Sequence, residues 1–513
     1  MDSRTGFGVG SIASREWLNI AAIPKLMGGV IFLSILYHVS IAIYNLYFHP
    51  LRKFPGPKLF AASRIPYAIA LSQGKILQVV NDAHERYGEV VRVAPNELSF
   101  IAGETAWQEI YGFRGGKKEE FGKDLQYFPK AVNGVRSILS ANRQDHSRVR
   151  RVFSNAFSEK ALRDQEPLIQ RYVGLLMRRL HEKTENGEPL DIVRYYNFAT
   201  FDIVGDLIFG EGFGCLEDDD YHSYVATVLG NLKAVAIRTA LRYYYLVEKF
   251  YMMFMPKDTI NKTVEHFNNA RAKVTKRLNT ETDRPDFITL VQKQPESKAV
   301  TRDELDANAG VFLTAGSETT ATTLSGTTYL LLSNPEKMKK VVKEVRETFR
   351  SSNDITIEAV QHLPYLLAVL TEGMRCYPPV ATGFPRSVPE GGGQVSGYFV
   401  PGHTTIYVSQ YPTYHSKRNF VEPNSFIPER WLDDADEKFK NDKKSVMMPF
   451  SNGPRNCIGK NLAYAEMRVI LARILFEFDI EMVDPDFDWM KQKLYLLWEK
   501  PALNVRLTPV EHE

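Results

Sequence analysis

Cys457 lies in a glycine- and arginine-rich loop, FSNGPRNCIG, which spans residues 450–459. A buried structural cysteine is more often found inside an apolar helix or strand. Here Arg455 places a cation two residues away, and an amphipathic helix pattern starts directly after the loop. Nearby cations and the amides of a helix N-terminus both favour a thiolate. The pattern predicts a reactive cysteine with a lowered pKa, whereas an inert cysteine is the simpler alternative for the loop alone.

Other chemistries are disfavoured by the motifs that surround Cys457. The loop contains no second cysteine at CxxC spacing and no histidine cluster, which argues against zinc. Neither a GxSxG elbow, nor a P-loop, nor a dinucleotide fingerprint occurs elsewhere in the sequence. A lone thiolate then has two candidate roles, as a nucleophile or as the axial ligand of a haem.

A second group of residues combines one acid with two arginines. Glu372 and Arg375, in EGMR, are three residues apart, the spacing at which helical side chains meet. Arg430, in PERW, precedes the thiolate loop. Each short motif is common by chance, but together they predict a buried Glu-Arg-Arg cluster that would support the loop.

A third candidate site lies in the middle of a long predicted helix. Thr301 and Glu304 form a capping-box pattern, and the sequence SNP at 333–335 ends the helix. A helix of about 32 residues spans roughly 48 Å, enough to cross a domain. Its centre, AGSETT at 315–320, has small and hydroxyl side chains with poor helix propensity. This local conflict indicates function or strain; a polar patch packed on another helix is the alternative.

Composition limits the classes of protein that fit. The chain has 513 residues with a net charge of +3, and no basic stripe indicates nucleic-acid binding. The three cysteines, Cys215, Cys376 and Cys457, are far apart and odd in number. They argue against a disulfide framework and for free thiols.

The N-terminal region predicts a membrane anchor. Residues 26–48 form an apolar run of bilayer-spanning length, too long for a cleaved signal sequence. Cations at Arg52, Lys53 and Lys58 favour a cytosolic main body. Residues 1–25 would then be luminal, and the proline-rich segment 49–60 would be a stiff hinge. A buried core helix is the alternative for the apolar run.

Residues 61–513 show no internal repeat and no low-complexity linker, so one large domain is expected. Most of this domain has helical periodicity, with few strand patterns. The predicted helical stretches are 142–182, 191–209, 335–350, 363–376 and 458–476. The predicted strands lie within 89–101 and 397–409, and each is interrupted by proline. The fold class is therefore mainly α with a small β-sheet portion.

Taken together, the motifs resemble the cytochrome P-450 family. The matching residues, in the family's order and spacing, are Ala315-Gly316-x-Glu318-Thr319-Thr320, Glu372-x-x-Arg375, Pro428-Glu429-Arg430-Trp431 and Phe450-x-x-Gly453-x-Arg455-x-Cys457-x-Gly459. The resemblance runs from the anchor to the C-terminus, and YNLYFHPLRKFPGPKL is similar to the membrane-proximal segment of fungal microsomal members. It implies the P-450 fold, preceded by one transmembrane helix.

The resemblance implies a thiolate-ligated heme b. Cys457 would be the proximal iron ligand, with Phe450 packed near its sulfur. Arg455 would pair with a haem propionate. The remaining cofactor-binding positions implied by the resemblance are His146, Arg150, Ala315, Gly316, Arg386 and Gly459. Many members have tryptophan where His146 stands.

The resemblance also assigns residues on the opposite side of the haem. Ala315 and Gly316 would leave space for dioxygen and substrate. Thr319 would hydrogen-bond oxygen at the iron, and Glu318 would relay protons towards it. Glu372, Arg375 and Arg430 would be structural.

The implied activity is that of a haem-thiolate monooxygenase that hydroxylates or epoxidises a lipophilic fungal secondary metabolite of polyketide, terpenoid or alkaloid type. Electrons would come from a separate NADPH–cytochrome P-450 reductase in the endoplasmic reticulum membrane. Lysines in the segment 437–445 either help to dock that partner or form a solvated loop. One alternative is an oxidase of the same fold that performs desaturation, ring closure or coupling. Another is a haem-thiolate sensor or electron carrier without turnover.

Overall fold

The computed structural model describes residues 22–115, 119–185, 187–230, 232–255, 257–282, 284, 286–293 and 300–512. These residues form a mainly helical protein with small sheets, which confirms the predicted fold class. The first twenty-one residues of the predicted luminal segment lie outside the described residues.

The helices follow one another along almost the whole described chain. In chain order they are α1 (Ala22–Tyr47), α2 (Lys58–Ala62), α3 (Ile65–Ser72), α4 (Ile76–Tyr87), α5 (Gly103–Tyr111), α6 (Arg143–Ser154), α7 (Glu159–Thr184), α8 (Ile192–Phe209), α9 (Cys215–Asp218), α10 (Ser223–Gly230), α11 (Leu232–Leu241), α12 (Tyr245–Phe254), α13 (Lys257–Leu278), α14 (Phe287–Gln292), α15 (Arg302–Leu332), α16 (Pro335–Thr348), α17 (Pro364–Cys376), α18 (Gln410–Tyr414) and α19 (Lys460–Glu477).

The strands form one five-stranded sheet and smaller pairings. They are β1 (Val90–Ala94), β2 (Glu97–Phe100), β3 (Gly122–Lys123), β4 (Leu190–Asp191), β5 (Arg386–Ser387), β6 (Gly393–Val395), β7 (Tyr398–Val400), β8 (Thr405–Val408), β9 (Phe478–Met482), β10 (Leu494–Tyr495), β11 (Leu497–Trp498) and β12 (Asn504–Pro509). The largest sheet has the order β1-β2-β8-β5-β3, and the parallel pairing in it is that of β2 with β8. A second sheet has the order β4-β12-β9.

The long helix α15 runs through the hydrophobic core. Its capping box is formed as predicted, because Thr301 accepts from the amide of Glu304 and Glu304 accepts from the amide of Thr301. Such a box satisfies amides that a helix start leaves without partners. Along its length α15 packs against α8, where Tyr196 Oη lies 2.8 Å from Thr328 Oγ1. Most of the side chains of α15 are buried, so it can support a site in the interior.

The predicted helical stretch 142–182 is interrupted. After α6, residues Asn155–Phe157 form a 3-10 turn, and α7 starts afresh with Ser158 as its N-cap. The Ser158 side chain accepts from the amide of Ala161, which is a helix-start contact that periodicity alone does not reveal. The other predicted helical stretches correspond to α8, α16, α17 and α19 within a few residues.

The apolar helix α1 is followed by a segment that packs onto the main body. Its stretch Lys25–Tyr47 is long and apolar enough to cross a membrane and is not buried by the rest of the protein. At its end, Asn45 donates to the Ala62 carbonyl at 2.9 Å and accepts from Arg92 through its own carbonyl. The proline-rich segment 49–60 also contacts β1, because the Arg92 amide donates to the Pro55 carbonyl. These contacts fix where α1 leaves the domain.

Candidate active site

The loop at residues 450–459 holds Cys457 in a defined position. Gly453 adopts a φ of +73°, and a Cβ at this position would lie 1.9 Å from the Tyr111 carbonyl oxygen. No side chain fits there, which explains the glycine. The Cys457 amide donates to the Phe450 carbonyl at 2.8 Å and closes the loop. Helix α19 begins directly afterwards, with Gly459 as its N-cap.

The surroundings of Cys457 correct the prediction of a lowered thiol pKa. The side chain is accessible, yet burial raises its pKa, and the amide of Gly459 and the Arg150 cation only partly oppose this effect. A sulfur at the bottom of a recess accounts for both observations. Arg455 does not stabilise the thiolate, because it bonds Glu120 instead. A metal cation bound at the sulfur would favour its negatively charged form.

Helix α6 connects the cysteine loop to the long helix. Arg150 donates to the carbonyl and the side-chain oxygen of Asn456 at 2.7 and 2.6 Å, next to Cys457. On the same helix Phe153 makes an edge contact with Phe312 of α15, with ring centroids 4.7 Å apart. One helix thus contacts both the loop that carries the thiol and the helix that carries the AGSETT motif.

Basic side chains gather beside the loop. Arg386 and Lys123 are directly opposite partners in the antiparallel pair of β5 and β3, so their side chains share a face. His146 is buried, and its pKa falls to about 3 because of burial and the surrounding cations. The cations that lower it are Arg455, Arg150, Lys123 and Arg386. The geometry thus brings together the four basic residues predicted to bind the cofactor and adds Lys123.

This cationic cluster, formed by Lys123, Arg150, Arg386 and Arg455 around the neutral His146, carries more positive than negative charge. Burial lowers the pKa of Lys123 well below its ordinary value, and neighbouring arginines add to the effect. The pKa of Arg386 falls to about 10, mainly through burial. Its Nε atom is buried without a hydrogen-bond partner. Glu120 pairs with Arg455 at 2.6 Å and balances part of this charge.

The charge of this cluster tests whether a haem fits the site. Buried cations are normally paired, and a buried donor without a partner needs an explanation. Two carboxylates such as haem propionates would supply the missing anions beside Cys457. Among the described residues no group of three or more His, Cys, Asp or Glu side chains could hold a metal ion by itself. A single thiol beside a cationic cluster fits a metal ion whose other ligands are the nitrogen atoms of a cofactor, as in a haem.

Helix α15 presents two different sides near its centre. Ala315 and Thr319 lie one turn apart and are both accessible, and the Thr319 hydroxyl donates to the Ala315 carbonyl at 2.6 Å. Gly316 lies against α8, where an added Cβ would approach Val204 to 3.1 Å. The small residue at 316 therefore also serves helix packing. That Gly316 leaves space for dioxygen stays a prediction.

Glu318 lies on a buried side of α15. Its Oε1 bonds the ammonium of Lys500, which also donates to Thr322 Oγ1 at 2.8 Å. The other carboxylate oxygen, Oε2, is buried and has no hydrogen-bond partner. Glu318 is thus adjacent to Thr319 in sequence, but its position is set by a lysine from the C-terminal region of the chain.

The Glu-Arg-Arg residues meet in one fully buried cluster. Arg375 forms a two-pronged contact with Glu372 at 2.8 and 2.9 Å, and Arg430 reaches the same carboxylate at 3.1 Å. The Trp431 indole donates to Glu372 at 2.8 Å. Arg430 also pairs with Asp442, a buried partner that the sequence patterns did not indicate. Each charge therefore has a partner, as burial requires.

A short series of contacts links this cluster to the cysteine loop. Arg375 donates to the Tyr414 carbonyl at 2.9 Å, and the Tyr414 hydroxyl accepts from the Met448 amide at 3.0 Å. Met448 is two residues before Phe450, whose ring packs against Tyr464 of α19 with centroids 5.1 Å apart. The cluster thus supports the loop without lining the recess.

Three polar residues near these sites were not predicted from the sequence. Glu120 precedes the two-residue strand β3, and Lys123 is part of that strand. Lys500 lies between β11 and β12. No motif or helical spacing relates them to Cys457 or Glu318. The position of Lys123 opposite Arg386 could have indicated its role, but only if the pairing of β3 with β5 had been known.

Comparisons with known proteins identify the family of this chain. A family model described as Cytochrome P450 matches residues 56–505. Cytochrome P450 monooxygenase lcsI of Purpureocillium lilacinum is 45% identical over 499 residues, which are 96% of each chain. The monooxygenase efuB of Hormonema carpetanum is 44% identical and covers 94% of this chain and 96% of its own. The monooxygenase traB of Penicillium crustosum is 43% identical, with coverages of 96% and 99%. Since these matches extend over nearly the whole chain and the cysteine loop and cationic cluster suit a haem, the protein belongs to the cytochrome P450 monooxygenase family.

Proposed function

We propose that the protein inserts one oxygen atom of dioxygen into a lipophilic secondary metabolite of polyketide, terpenoid or alkaloid type, by hydroxylation or epoxidation. The observation that carries this proposal is the accessible Cys457 thiol beside the cationic cluster. A thiolate-ligated haem supplies dioxygen activation when it is bound. The residues of this chain then have to hold it, exclude water and deliver protons.

The chain provides these contributions from separate elements. Cys457 offers the sulfur ligand at the start of α19. From the five-stranded sheet, Arg386 and Lys123 offer positive charge to the haem propionates. On the accessible side of α15, the small side chain of Ala315 leaves space for a ligand, and Thr319 contributes a hydroxyl group. A hydroxyl in that place can exchange its backbone hydrogen bond for one to a bound oxygen.

A small hollow of about 10 Å³ joins three segments of the chain. The resemblance to the cytochrome P-450 family implies that these segments, 125–140, 380–384 and the stretch ending at Trp498, flank the substrate. The residues that line the hollow are Tyr67, Leu71, Ile76, Tyr127, Thr382, Gly383, Pro385, Tyr407 and Leu496. The aromatic and aliphatic side chains among them suit contact with a lipophilic ligand.

Exposed apolar side chains outside α1 also support access from a membrane. Helix α12 has no buried residue, and its exposed side chains include Leu246, Phe250 and Phe254. Helix α12 is therefore not a core helix. Arg64 stacks on Tyr243 with its guanidinium 3.9 Å from the ring centre, which joins the start of α3 to the turn before α12. On this side Ile65 and Ile69 are also exposed.

These apolar surfaces and α1 suit a single-pass protein of the endoplasmic reticulum membrane, with its catalytic domain in the cytosol. Electrons would come from NADPH–cytochrome P-450 reductase. Of the lysines in segment 437–445, Lys438 pairs with Glu422 and Lys440 with Glu437, whereas Lys443 and Lys444 are exposed. The latter two are the better candidates for contact with an acidic partner.

Expression in yeast microsomes with reductase tests the proposal. We expect a thiolate-type reduced-CO difference spectrum, NADPH consumption, and a product heavier by one oxygen from a panel of lipophilic metabolites. Cys457→Ser should abolish the spectrum, whereas the matched control Cys215→Ala, at a buried cysteine elsewhere, should retain it. A product that has lost two hydrogens without gaining oxygen would favour the oxidase alternative. A spectrum without NADPH consumption on any substrate would favour the sensor or carrier.

A further inference from the structure

Glu318 and Lys500 form an ion pair that is almost completely buried. The side chains are 2% and 5% exposed, respectively. Glu318 directly precedes Thr319 on α15, and successive helical residues point about 100° apart. The pair therefore lies beside, and not within, the accessible side that Ala315 and Thr319 share.

Lys500 is held in place by its neighbours on both sides. Before it, the Trp498 indole donates to the Pro378 carbonyl at 2.8 Å. After it, the Pro501 carbonyl accepts from the Trp489 indole at 3.0 Å, and the Leu503 amide donates to Asp191 at 3.0 Å. Because the backbone around Lys500 is anchored, its ammonium has a fixed position. The carboxylate that binds it is fixed as well.

Two phenols also face Glu318. Burial raises the pKa of Tyr377 well above its ordinary value, and the Glu318 charge adds to the increase. The pKa of Tyr221 rises to about 12, chiefly by burial, with a smaller contribution from Glu318. Both phenols remain neutral, and their hydroxyls are engaged with Gln492 and Asn197. Among the described groups around Glu318, Lys500 is the ion-paired cation that balances its charge.

We propose that Lys500 is a positioning residue for proton delivery, which supplies the countercharge to Glu318 and fixes its carboxylate next to Thr319. This role in turnover rests on the monooxygenase function proposed above. A buried ion pair contributes little net stability compared with apolar residues, so stability alone does not account for it. Glu318 Oε2 is moreover buried without a partner, and a carboxylate oxygen with a free lone pair is able to accept a proton.

The experiment compares Lys500→Met, which removes the charge, with Lys500→Arg, which keeps it. Without a countercharge, a buried carboxylate takes up a proton. Infrared difference spectroscopy of the complete protein should therefore show a carboxylic-acid C=O band at neutral pH in Lys500→Met. The band should be absent from the wild type and from Lys500→Arg, and the double variant Lys500→Met/Glu318→Gln should lose it. Absence of the band, or its persistence in the double variant, overturns the proposal.

Turnover provides the second measurement. A carboxyl that holds its proton too tightly is a poor donor, so product formed per NADPH should fall at least about threefold in Lys500→Met at neutral pH. This ratio should change with pH over the range in which the infrared band titrates, while Lys500→Arg follows the wild type. A loss that does not vary with pH indicates a merely structural role and overturns the proposal. Should Lys500→Met not fold, Lys500→Gln removes the same charge.

The two proposals fail in different ways. Failure of the monooxygenase function removes product from the wild type but leaves the infrared comparison intact. Failure of the Lys500 role leaves wild-type product formation intact and removes the differences between Lys500→Met and Lys500→Arg.

Discussion

Lys123 and Arg386 lie directly opposite each other in the antiparallel pair of β3 and β5, so two cations share one face at the end of the five-stranded sheet. Like charges in this arrangement destabilise a sheet. The burial that lowers the pKa of both residues increases the cost of their charge. This pairing is understandable if an anion binds between them, as the propionates of a haem would.

Replacing Lys123 by methionine should have opposite effects on the haem-free and haem-bound protein. Without haem, relief of the repulsion should raise the free energy of unfolding by up to about 1 kcal/mol. With haem, loss of a charged contact should weaken haem retention by roughly tenfold. Haem transfer to apomyoglobin and urea unfolding of both forms measure these effects. Lys130→Met, at an exposed lysine nearby, should change neither, and equal effects on both forms would contradict the prediction.

Gly453→Ala should disrupt the cysteine loop. A methyl group there would lie 1.9 Å from the Tyr111 carbonyl oxygen, and the residue would have to hold a φ of +73°. We expect loss of the thiolate-type CO spectrum in most of the purified protein. Gly391→Ala is the matched control, because an added Cβ there meets no atom within 4 Å. A normal spectrum in Gly453→Ala would show that the loop can move away from Tyr111.

Arg375→Met should destabilise the domain strongly. The substitution leaves the Glu372 charge with only part of its partners in a fully buried cluster, for which a loss of about 3–5 kcal/mol is typical. The measurement is the temperature at which the thiolate-type CO spectrum disappears during heating. The exposed Arg350, replaced in the same way, should have little effect. If both variants lose the spectrum at the same temperature as the wild type, the cluster does not support the loop.

Thr319→Ala should increase hydrogen peroxide relative to product. Its hydroxyl is on the accessible side of α15, and the proposed function needs a hydrogen-bond donor there. The ratio of peroxide to NADPH consumed should rise several-fold, while the CO spectrum is unchanged. Thr323 makes the same type of bond to the carbonyl four residues before it but is buried. Thr323→Ala should therefore keep the wild-type ratio, and an unchanged ratio in Thr319→Ala would argue against its role.

Protonation of His84 should lower the free energy of unfolding in mild acid. It is buried, and burial lowers its pKa from 6.5 to about 4. Between these values the unfolded chain takes up a proton that the folded protein does not. Stability is therefore fully present above pH 6.5 and decreases as the pH falls towards 4, by up to about 3 kcal/mol.

Urea unfolding at several pH values in detergent measures the His84 effect. His84→Gln should reduce the slope of stability against pH by up to about 1.4 kcal/mol per pH unit in this range. The exposed His362→Gln should keep the wild-type slope. Identical slopes for His84→Gln and the wild type would show that His84 is not the titrating group.

Several features of this protein were predictable because their signals are local. The capping box at Thr301 and Glu304 is a pattern within four residues, and α15 starts there. Periodicity placed α8, α16, α17 and α19 closely, and the apolar run predicted a helix long enough to cross a membrane, which α1 provides. Where a local contact interrupted the periodicity, as at Ser158, the predicted helix was too long.

The sequence alone determined the family and the candidate site residues, because the order and spacing of the motifs around Cys457, Glu318 and Glu372 are too specific to arise separately. Only the tertiary structure decided the electrostatic environment of these residues and the contacts that fix their positions. Burial raises the pKa of Cys457 against the effect of nearby cations. Folding also brings Lys500 to Glu318 across 182 positions. Desolvation and long-range ion pairs depend on which segments meet in space, and neither spacing nor periodicity contains that information.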